Sequence, residues 1–317
     1  LANGVKTGDT TVELPVLAYY STARLWEKKK EKRESAKLDL NSRFTGYLDC
    51  LDSMNNEKLM RKWLEQMTYI ELQRGEEVPE LSAVKRAILA CFNTSDNTRE
   101  MGKADRCTFD VKSGEIEITY TLPNGKKEIH PLSEMSDGYR NMLSMVADIA
   151  YRMALLNPQL LDKVTEKTSG VVLIDEIELH MHPSWQRKVL PILCKTFPNV
   201  QFIVTTHSPQ VLGEVSNQFN LFMLSENEER QNIITPVNRM DGFDSNFILE
   251  EYMDTASSNP EFRTMVNRTF QLIDDGQFDK STEFIKEIQE IVGMNNPVVI
   301  ELEGYLKRRK LIYEKNH

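Results

Sequence analysis

Two adjacent carboxylates follow a short apolar segment in the middle of the chain. Residues 171–174 are all apolar, and Asp175 and Glu176 come directly after them. An aspartate at the end of a buried strand can hold a Mg²⁺ ion, directly or through water, and a neighbouring glutamate can orient a water molecule for attack on a phosphate. This chemistry is phosphoryl transfer. The alternative is an ordinary strand that ends in solvated carboxylates.

A second polar group lies upstream of this pair. Ser136, Asp137 and Gly138 open a long segment of helical period, and Arg140 follows them. Ser136 or Asp137 is expected to cap the helix, and Gly138 allows a backbone to approach closely. Because the N-terminal end of a helix is positive and has free N–H groups, this turn is a candidate phosphate site. A plain helix cap is the alternative.

A third polar group follows the next apolar strand along the chain. Residues 200–205 predict this strand, and His207 comes just after it. If this strand and the strand that ends at Asp175 are neighbours, His207 lies beside the carboxylates. A neutral imidazole in that position can bond a phosphate oxygen or the attacking water.

The surrounding elements predict an α/β fold. Apolar segments of a few residues alternate with helical segments after Gly170, which indicates a parallel sheet covered on both faces. Residues 11–20 predict a further buried strand. Three segments between residues 108 and 130 alternate polar and apolar side chains, and Ser-Gly and Asn-Gly turns join them into an antiparallel β-meander. Helical periodicity appears at residues 56–73, 80–91 and in three segments after Pro260.

The order of the three polar groups carries a resemblance. "MSDGYR", "VVLIDE", "IELHMHP" and "THS" resemble the signature motif, Walker B strand, D-loop and switch histidine of the ATP-binding-cassette (ABC) class of ATPases. "LIDEIELHMHP" and "VTTHSPQVL" are similar to the branch of overcoming-lysogenisation and SMC-like ATPases. "LAYYSTARLW" and "SRFTGYLDCLD" are similar to the Septu and retron-associated defence ATPases within that branch.

This resemblance implies an ABC-type P-loop NTPase head, with a mostly parallel sheet, the β-meander, an inserted helical subdomain and C-terminal helical hairpins. Four regions are expected: residues 1–34 as the end of an N-terminal nucleotide-binding lobe, 35–100 as the helical insertion, 101–240 as the ATPase lobe and 241–317 as a helical region for partners or assembly.

The resemblance also implies a site for ATP and Mg²⁺. Asp175 would hold the metal, and Glu176 and His207 would be catalytic in the same subunit. A second subunit would complete the site with its nucleotide-binding residues, which are Ser136, Asp137, Gly138 and Arg140. The implied assembly is a homodimer or a higher even oligomer.

Further partners follow from the same resemblance. An HNH-type nuclease is expected as the partner that the ATPase controls in bacterial anti-phage defence, and DNA or RNA is expected to be reached through the assembly. A nucleotide-gated scaffold without hydrolysis and an SMC-like DNA-repair ATPase remain alternatives.

Two features depart from the family pattern. No GxxxxGK[ST] phosphate loop occurs in the sequence. The family places this loop upstream of a strand like "LPVLAYY", so we expect it upstream of Leu1. The signature also carries Asp137, whose charge is unfavourable near a phosphate. Its carboxylate should point away or cap the helix, and Arg140 could compensate for it.

Composition narrows the class of protein. The formal net charge of −9 excludes a global basic field for nucleic acid, and the run of charges at residues 27–34 predicts a solvated face or a phosphate-backbone contact. Four cysteines without a CxxC pair, and no visible signal peptide, predict reduced thiols in a cytoplasmic protein. No apolar run is long enough to span a membrane.

Two metal sites are weaker alternatives. A zinc site would use His180 and His182 with Cys194 or Glu178, but no second ligand pair has zinc spacing. His182 before Pro183 is expected to shape the loop instead. A nuclease site would use the carboxylates at positions 175, 176 and 178, but no second acidic strand end follows His207.

Overall fold

A computed structural model describes residues 10–22, 42–52, 57–93, 103–215, 218–227, 229–237, 240, 242–253 and 259–316. The run of charges at residues 27–34 lies outside them. The chain divides into two compact units, residues 1–242 and 243–317. The four regions expected from the sequence stay a prediction.

The first unit is mixed α/β, as predicted. Its strands are β1 (Val16–Tyr20), β2 (Lys103–Asp110), β3 (Glu115–Thr121), β4 (Lys127–Pro131), β5 (Gly170–Ile174), β6 (Val200–Val204), β7 (Leu221–Glu226) and β8 (Asn232–Val237). Its α-helices are α1 (Glu57–Arg74), α2 (Pro79–Phe92), α3 (Asp137–Leu156), α4 (Val164–Lys167), α5 (Pro183–Thr196) and α6 (Pro209–Leu212). Short 3₁₀ turns lie at Arg43–Tyr47, Leu132–Glu134 and Pro158–Lys163.

A three-stranded parallel sheet has the order β1-β5-β6. One of its faces is buried, through Val16, Val172 and Ile174. The prediction that both faces are covered is wrong for the described residues, because Leu173 and Ile203 on the other face are 36% and 51% exposed. The apolar strands alone suggested burial on both sides, but none of the elements described here covers this row.

The β-meander is confirmed as an antiparallel sheet of order β2-β3-β4. Side chains of β3 alternate between half-buried and buried, as expected for a sheet with one face on the core. β2 begins earlier than the sequence pattern indicated, at Lys103.

Helix α3 forms the centre of the core, and every residue from Asn141 to Leu156 except Ser144 is buried. It contains a buried ion pair, in which Arg152 Nε lies 2.8 Å from Asp148 Oδ2. The Tyr20 hydroxyl donates to the same oxygen at 2.8 Å. Arg152 also donates to the carbonyls of Gly46 and Leu48. Buried charges need such partners, and these bonds fasten β1 and the first 3₁₀ turn to α3.

Helices α1 and α2 lie between β1 and β2 in the chain, and their apolar side chains share one hydrophobic cluster with α3. Trp63 of α1 packs edge-on against Tyr151 of α3, with ring centroids 5.4 Å apart. Cys91 and Cys107 are buried in the same cluster, and burial raises the pKa of the Cys107 thiol to about 12. All four cysteines are free thiols.

The hairpin of β7 and β8 was not predicted from the sequence. Its strands pair antiparallel, with Phe222 opposite Pro236 and Leu224 opposite Ile234. Phe222, Leu224 and Ile234 are more than half exposed. Apolar residues occur at consecutive positions in both strands, so the alternation that marks a half-buried strand is absent from this stretch.

The second unit is helical. It contains α7 (Ser245–Tyr252), α8 (Pro260–Asp274), α9 (Phe278–Val292) and α10 (Pro297–Asn316). The three helices after Pro260 confirm the sequence pattern, whereas α7 was not predicted. Helices α8, α9 and α10 enclose a small core built on Ile273, Ile285, Ile288, Val299, Leu302 and Leu306. Among the residues described in either unit, no helix combines the length and apolarity needed to cross a membrane.

Candidate functional site

The carboxyl ends of β1, β5 and β6 meet at one edge of the parallel sheet. Tyr20, Ile174 and Val204 are in register across the three strands. The pairing continues one residue further, since Asp175 N donates to Tyr20 O at 2.8 Å and Thr205 N donates to Ile174 O at 3.0 Å. The two strands that precede Asp175 and His207 are therefore neighbours, as predicted.

Asp175 is held by two hydroxyl groups. The Tyr19 hydroxyl donates to Oδ2 at 2.6 Å, and Thr205 Oγ1 lies 3.5 Å from Oδ1. The hydrogen bond to Asp175 raises the pKa of Tyr19 above its ordinary value, and burial and the negative charge of Asp175 add to this effect. Tyr19 therefore stays a neutral donor near pH 7. Neither contact could be predicted from the sequence, because both depend on strand pairing.

Glu176 has an unusual backbone conformation, with φ of 45°. A left-handed conformation costs a residue other than glycine roughly 1 kcal/mol, so neighbouring contacts must maintain it. Thr205 provides them: its Oγ1 accepts from Glu176 N at 3.0 Å, and its carbonyl accepts from Ile177 N at 3.2 Å. The turn after β5 is thus fixed by the turn after β6. Non-glycine residues in this conformation often lie at functional sites.

His207 is on an exposed loop that is tied to the segment after Asp175. Its backbone N–H donates to Glu178 Oε1 at 2.7 Å, and the Thr206 hydroxyl donates to Glu178 Oε2 at 2.7 Å. The imidazole itself is exposed at the same edge of the sheet. The structure therefore brings the loop of His207 beside the loop of Asp175 and Glu176.

The N-terminus of α3 packs against the segment that follows these carboxylates. Gly138 is so close that an added Cβ would lie 2.6 Å from the carbonyl oxygen of His180 and 3.1 Å from Met181 Cα. Asn141 Nδ2 donates to Leu179 O at 3.2 Å. The ring of Tyr139 lies 4.3 Å from that of Trp185, centroid to centroid. The close backbone approach expected at Gly138 is present, and the approaching backbone is that of His180 and Met181 in the same chain.

The side-chain cap that the sequence predicted at the start of α3 is not formed by Ser136. Ser136 occupies the N-cap position, but its side chain accepts no capping hydrogen bond from the described helix. Asp137 pairs with Arg140 instead. The predicted compensation of Asp137 by Arg140 is therefore present as a direct ion pair. Ser136, Asp137 and Arg140 are all exposed at the helix end.

The histidines of the alternative zinc site have other contacts. His182 is the N-cap of α5, where its Nδ1 accepts from Ser184 N at 3.3 Å. His180 has a left-handed backbone, with φ of 60°. Within the described ranges, no three or more histidine, cysteine, aspartate or glutamate side chains form a metal-binding group. Asp175 and the Thr205 hydroxyl present oxygen atoms at this edge of the sheet, and oxygen is the ligand type that Mg²⁺ prefers.

Residues 8–213 match the family described as "AAA domain, putative AbiEii toxin, Type IV TA system". This match spans well over half of the chain, and the chain belongs to this family of AAA domains.

Among curated proteins, the chain is similar to the Retron Ec83 probable ATPase of Escherichia coli, at 26% identity over 89% of this chain and 56% of the relative. It is 27% identical to the Retron Vc95 probable ATPase of Vibrio cholerae serotype O1 biovar El Tor, over 88% of this chain and 61% of the relative. The Septu protein PtuA of Bacillus mycoides (strain KBAB4) is 31% identical over 50% of this chain and 22% of its own length.

These matches confirm the predicted resemblance to Septu and retron-associated ATPases. The chain spans 56% and 61% of the lengths of the two retron relatives. A solved structure reported under "Structural biochemistry of ATP-driven dimerization and DNA stimulated activation of SMC ATPases" is 17% identical, with a TM-score of 0.37, and it covers 56% of this chain and 94% of that chain.

Proposed function

We propose that this chain is the ATP-hydrolysing part of a defence-associated ATPase, and that ATP and Mg²⁺ bind at the carboxyl edge of β5 and β6. One observation carries the proposal. Asp175, Glu176 and His207 follow these two strands and lie at the same edge of the sheet. Hydrogen bonds of Thr205 and Glu178 join the two loops. Open α/β sheets bind their ligands at this edge.

Each residue has a role that suits its contacts. Asp175, aligned by Tyr19 and Thr205, would hold Mg²⁺, which neutralises charge on the phosphates. Glu176, on its fixed left-handed turn, would orient the attacking water. The exposed imidazole of His207 would bond a phosphate oxygen or that water.

ATP binding also needs a segment that holds the phosphates. We place this segment beside β6. That strand has β5 on one side, and no described strand pairs with its other side. The half-exposed Leu173 and Ile203 offer apolar area to a helix that follows such a strand. Parallel sheets are normally covered on both faces, so a strand and a helix would complete this one.

We further propose that two subunits complete each site. Ser136, Asp137, Gly138 and Arg140 lie at the N-terminus of α3, a twenty-residue helix whose positive end favours phosphate. Ser136 and Arg140 are exposed, and Arg140 would exchange its pair with Asp137 for the phosphates of a nucleotide held by another subunit. The proposed assembly is a homodimer or a higher even oligomer. The Septu and retron relatives support a defence role. In that role, we propose that the assembly controls an HNH-type nuclease and reaches DNA or RNA.

The experiment is ATP turnover by the full-length protein and by Glu176→Gln, with Glu283→Gln as the control, because Glu283 is an exposed carboxylate in the second unit. We expect Glu176→Gln to lose about 100-fold or more in turnover, as for removal of a general base. It should retain ATP and accumulate as dimers in sedimentation velocity. Glu283→Gln should match the wild type.

Two other outcomes would decide against parts of the proposal. If the wild type and Glu176→Gln are equally inactive while ATP still drives dimerisation, the protein is a nucleotide-gated scaffold. If the protein purified from its native host brings down no HNH-type nuclease, the proposed partner is wrong.

A further inference from the structure

The carboxylate of Glu178 connects the two loops of the candidate site, and Glu178 is not one of the residues proposed as catalytic or metal-binding. Glu178 accepts a hydrogen bond on each of its oxygens, from the Thr206 hydroxyl to Oε2 and from the His207 backbone N–H to Oε1, both at 2.7 Å. Hydrogen bonds to a carboxylate are short and stronger than bonds between neutral groups. Glu178 is also half-buried, which reduces competition from water.

Further bonds fasten the far end of the His207 loop to the same segment. Ser208 Oγ donates to Gln186 Oε1 at 2.6 Å, and Gln186 Nε2 donates to Met181 O at 2.9 Å. Ser208 N donates to Thr206 Oγ1 at 3.0 Å, so the hydroxyl that binds Glu178 also closes the loop. In this network, Glu178 is the side chain that binds the backbone of His207.

We propose that Glu178 is a positioning residue that fixes the backbone at His207 and thereby directs the imidazole to the phosphates at the sheet edge. This inference rests on the proposed function of His207. His207 is exposed. Its backbone sets the direction of the Cα–Cβ bond from which the ring extends, and the bonds of Glu178 to the His207 N–H and to the Thr206 hydroxyl hold that segment.

The geometry also predicts which substitution of Glu178 is tolerated. In Glu178→Gln the amide oxygen can still accept from His207 N–H, and the amide NH₂ can donate to the Thr206 hydroxyl. In Glu178→Ala both bonds are lost. If charge alone mattered, Glu178→Gln and Glu178→Ala would be equally impaired.

The test is a double-mutant cycle on ATP turnover by the full-length protein, with Glu178→Ala, His207→Ala and the double variant. We expect Glu178→Ala to lower kcat about 10- to 100-fold, as for displacement of a reacting group by about 1 Å, with a much smaller change in KM for ATP. Glu178→Gln should recover most of that loss. The double variant should be no slower than His207→Ala, because Glu178 acts through that side chain.

A second measurement does not depend on turnover. Hydrogen–deuterium exchange of the backbone amide at position 207 should be slow in the wild type and in His207→Ala. It should be about tenfold or more faster in Glu178→Ala, because only that variant lacks the acceptor.

The outcomes separate this inference from the proposed function. If the losses of the two single variants multiply in the double variant, or if the His207 amide exchanges equally in wild type and Glu178→Ala, Glu178 does not position His207. If the wild type shows no turnover, the proposed function fails, and amide exchange alone decides whether Glu178 holds the loop.

Discussion

Gly138 is the position where one added methyl group tests the packing of helix α3 against the segment that follows Asp175 and Glu176. In Gly138→Ala, the new Cβ would lie 2.6 Å from the carbonyl oxygen of His180, 3.1 Å from Met181 Cα and 3.3 Å from His180 C. All three are backbone atoms, so no side chain can rotate away. Since ordinary contact begins near 3.4 Å, the loop or the helix end must move.

The magnitude follows from two opposing effects. Overpacking of this kind costs roughly 1–3 kcal/mol in free energy of unfolding. Alanine is favoured over glycine in a helix by up to about 1 kcal/mol, and less in the first turn. We therefore expect Gly138→Ala to destabilise the first unit by about 1–2 kcal/mol. Turnover should fall as well, because the displaced loop begins at Asp175 and Glu176.

Urea unfolding followed by tryptophan fluorescence measures this effect, because all three tryptophans lie within residues 1–242. The matched control is Gly304→Ala in α10, where an added Cβ meets no described atom within 4 Å. It should leave the tryptophan transition unchanged and raise helix stability in circular dichroism by about 0.5–1 kcal/mol. A Gly138→Ala protein as stable and as active as the wild type would refute the close approach.

Two further predictions concern the buried polar network of α3. Arg152→Met leaves Asp148 buried without its cation and should lower the free energy of unfolding by about 3–5 kcal/mol. Arg86→Met breaks an exposed pair and should lower it by only about 0–1 kcal/mol in the same urea assay. Equal losses in the two variants would contradict a buried ion pair. Burial and the charge of Asp148 raise the pKa of Tyr20 well above its ordinary value of 10.0. Tyr20 therefore stabilises the folded state fully below about pH 10, and this contribution is lost as the pH rises further. Tyr20→Phe should flatten the decline of urea midpoints above pH 10, and identical alkaline profiles for both proteins would exclude this role.

The core of the candidate site could be predicted from the sequence because it depends on local patterns. Apolar strands that end at Asp175 and just before His207 are visible as short runs, and parallel strands in one sheet place such ends together. The glycine at position 138 likewise indicated a close backbone approach. Its partner, the carbonyl of His180, could not be named, because it depends on how α3 packs on the loop.

The contacts that align the site could not be predicted. Tyr19 meets Asp175 across 156 positions of sequence, and this contact follows from the register of β1 against β5. The left-handed backbone of Glu176 has no glycine or asparagine to announce it, since tertiary contacts to Thr205 maintain it. The exposed face of the parallel sheet was also missed, because an apolar strand gives no information on which elements cover it.

The most direct test of the central proposal is a structure of the full-length Glu176→Gln protein with Mg²⁺ and ATP. We expect the metal to lie beside Asp175 and the terminal phosphate to lie at the carboxyl edge of β5 and β6, within hydrogen-bond distance of the His207 imidazole. A nucleotide bound elsewhere on the protein, with this edge of the sheet unchanged, would contradict the assignment of Asp175, Glu176 and His207 to an ATP site.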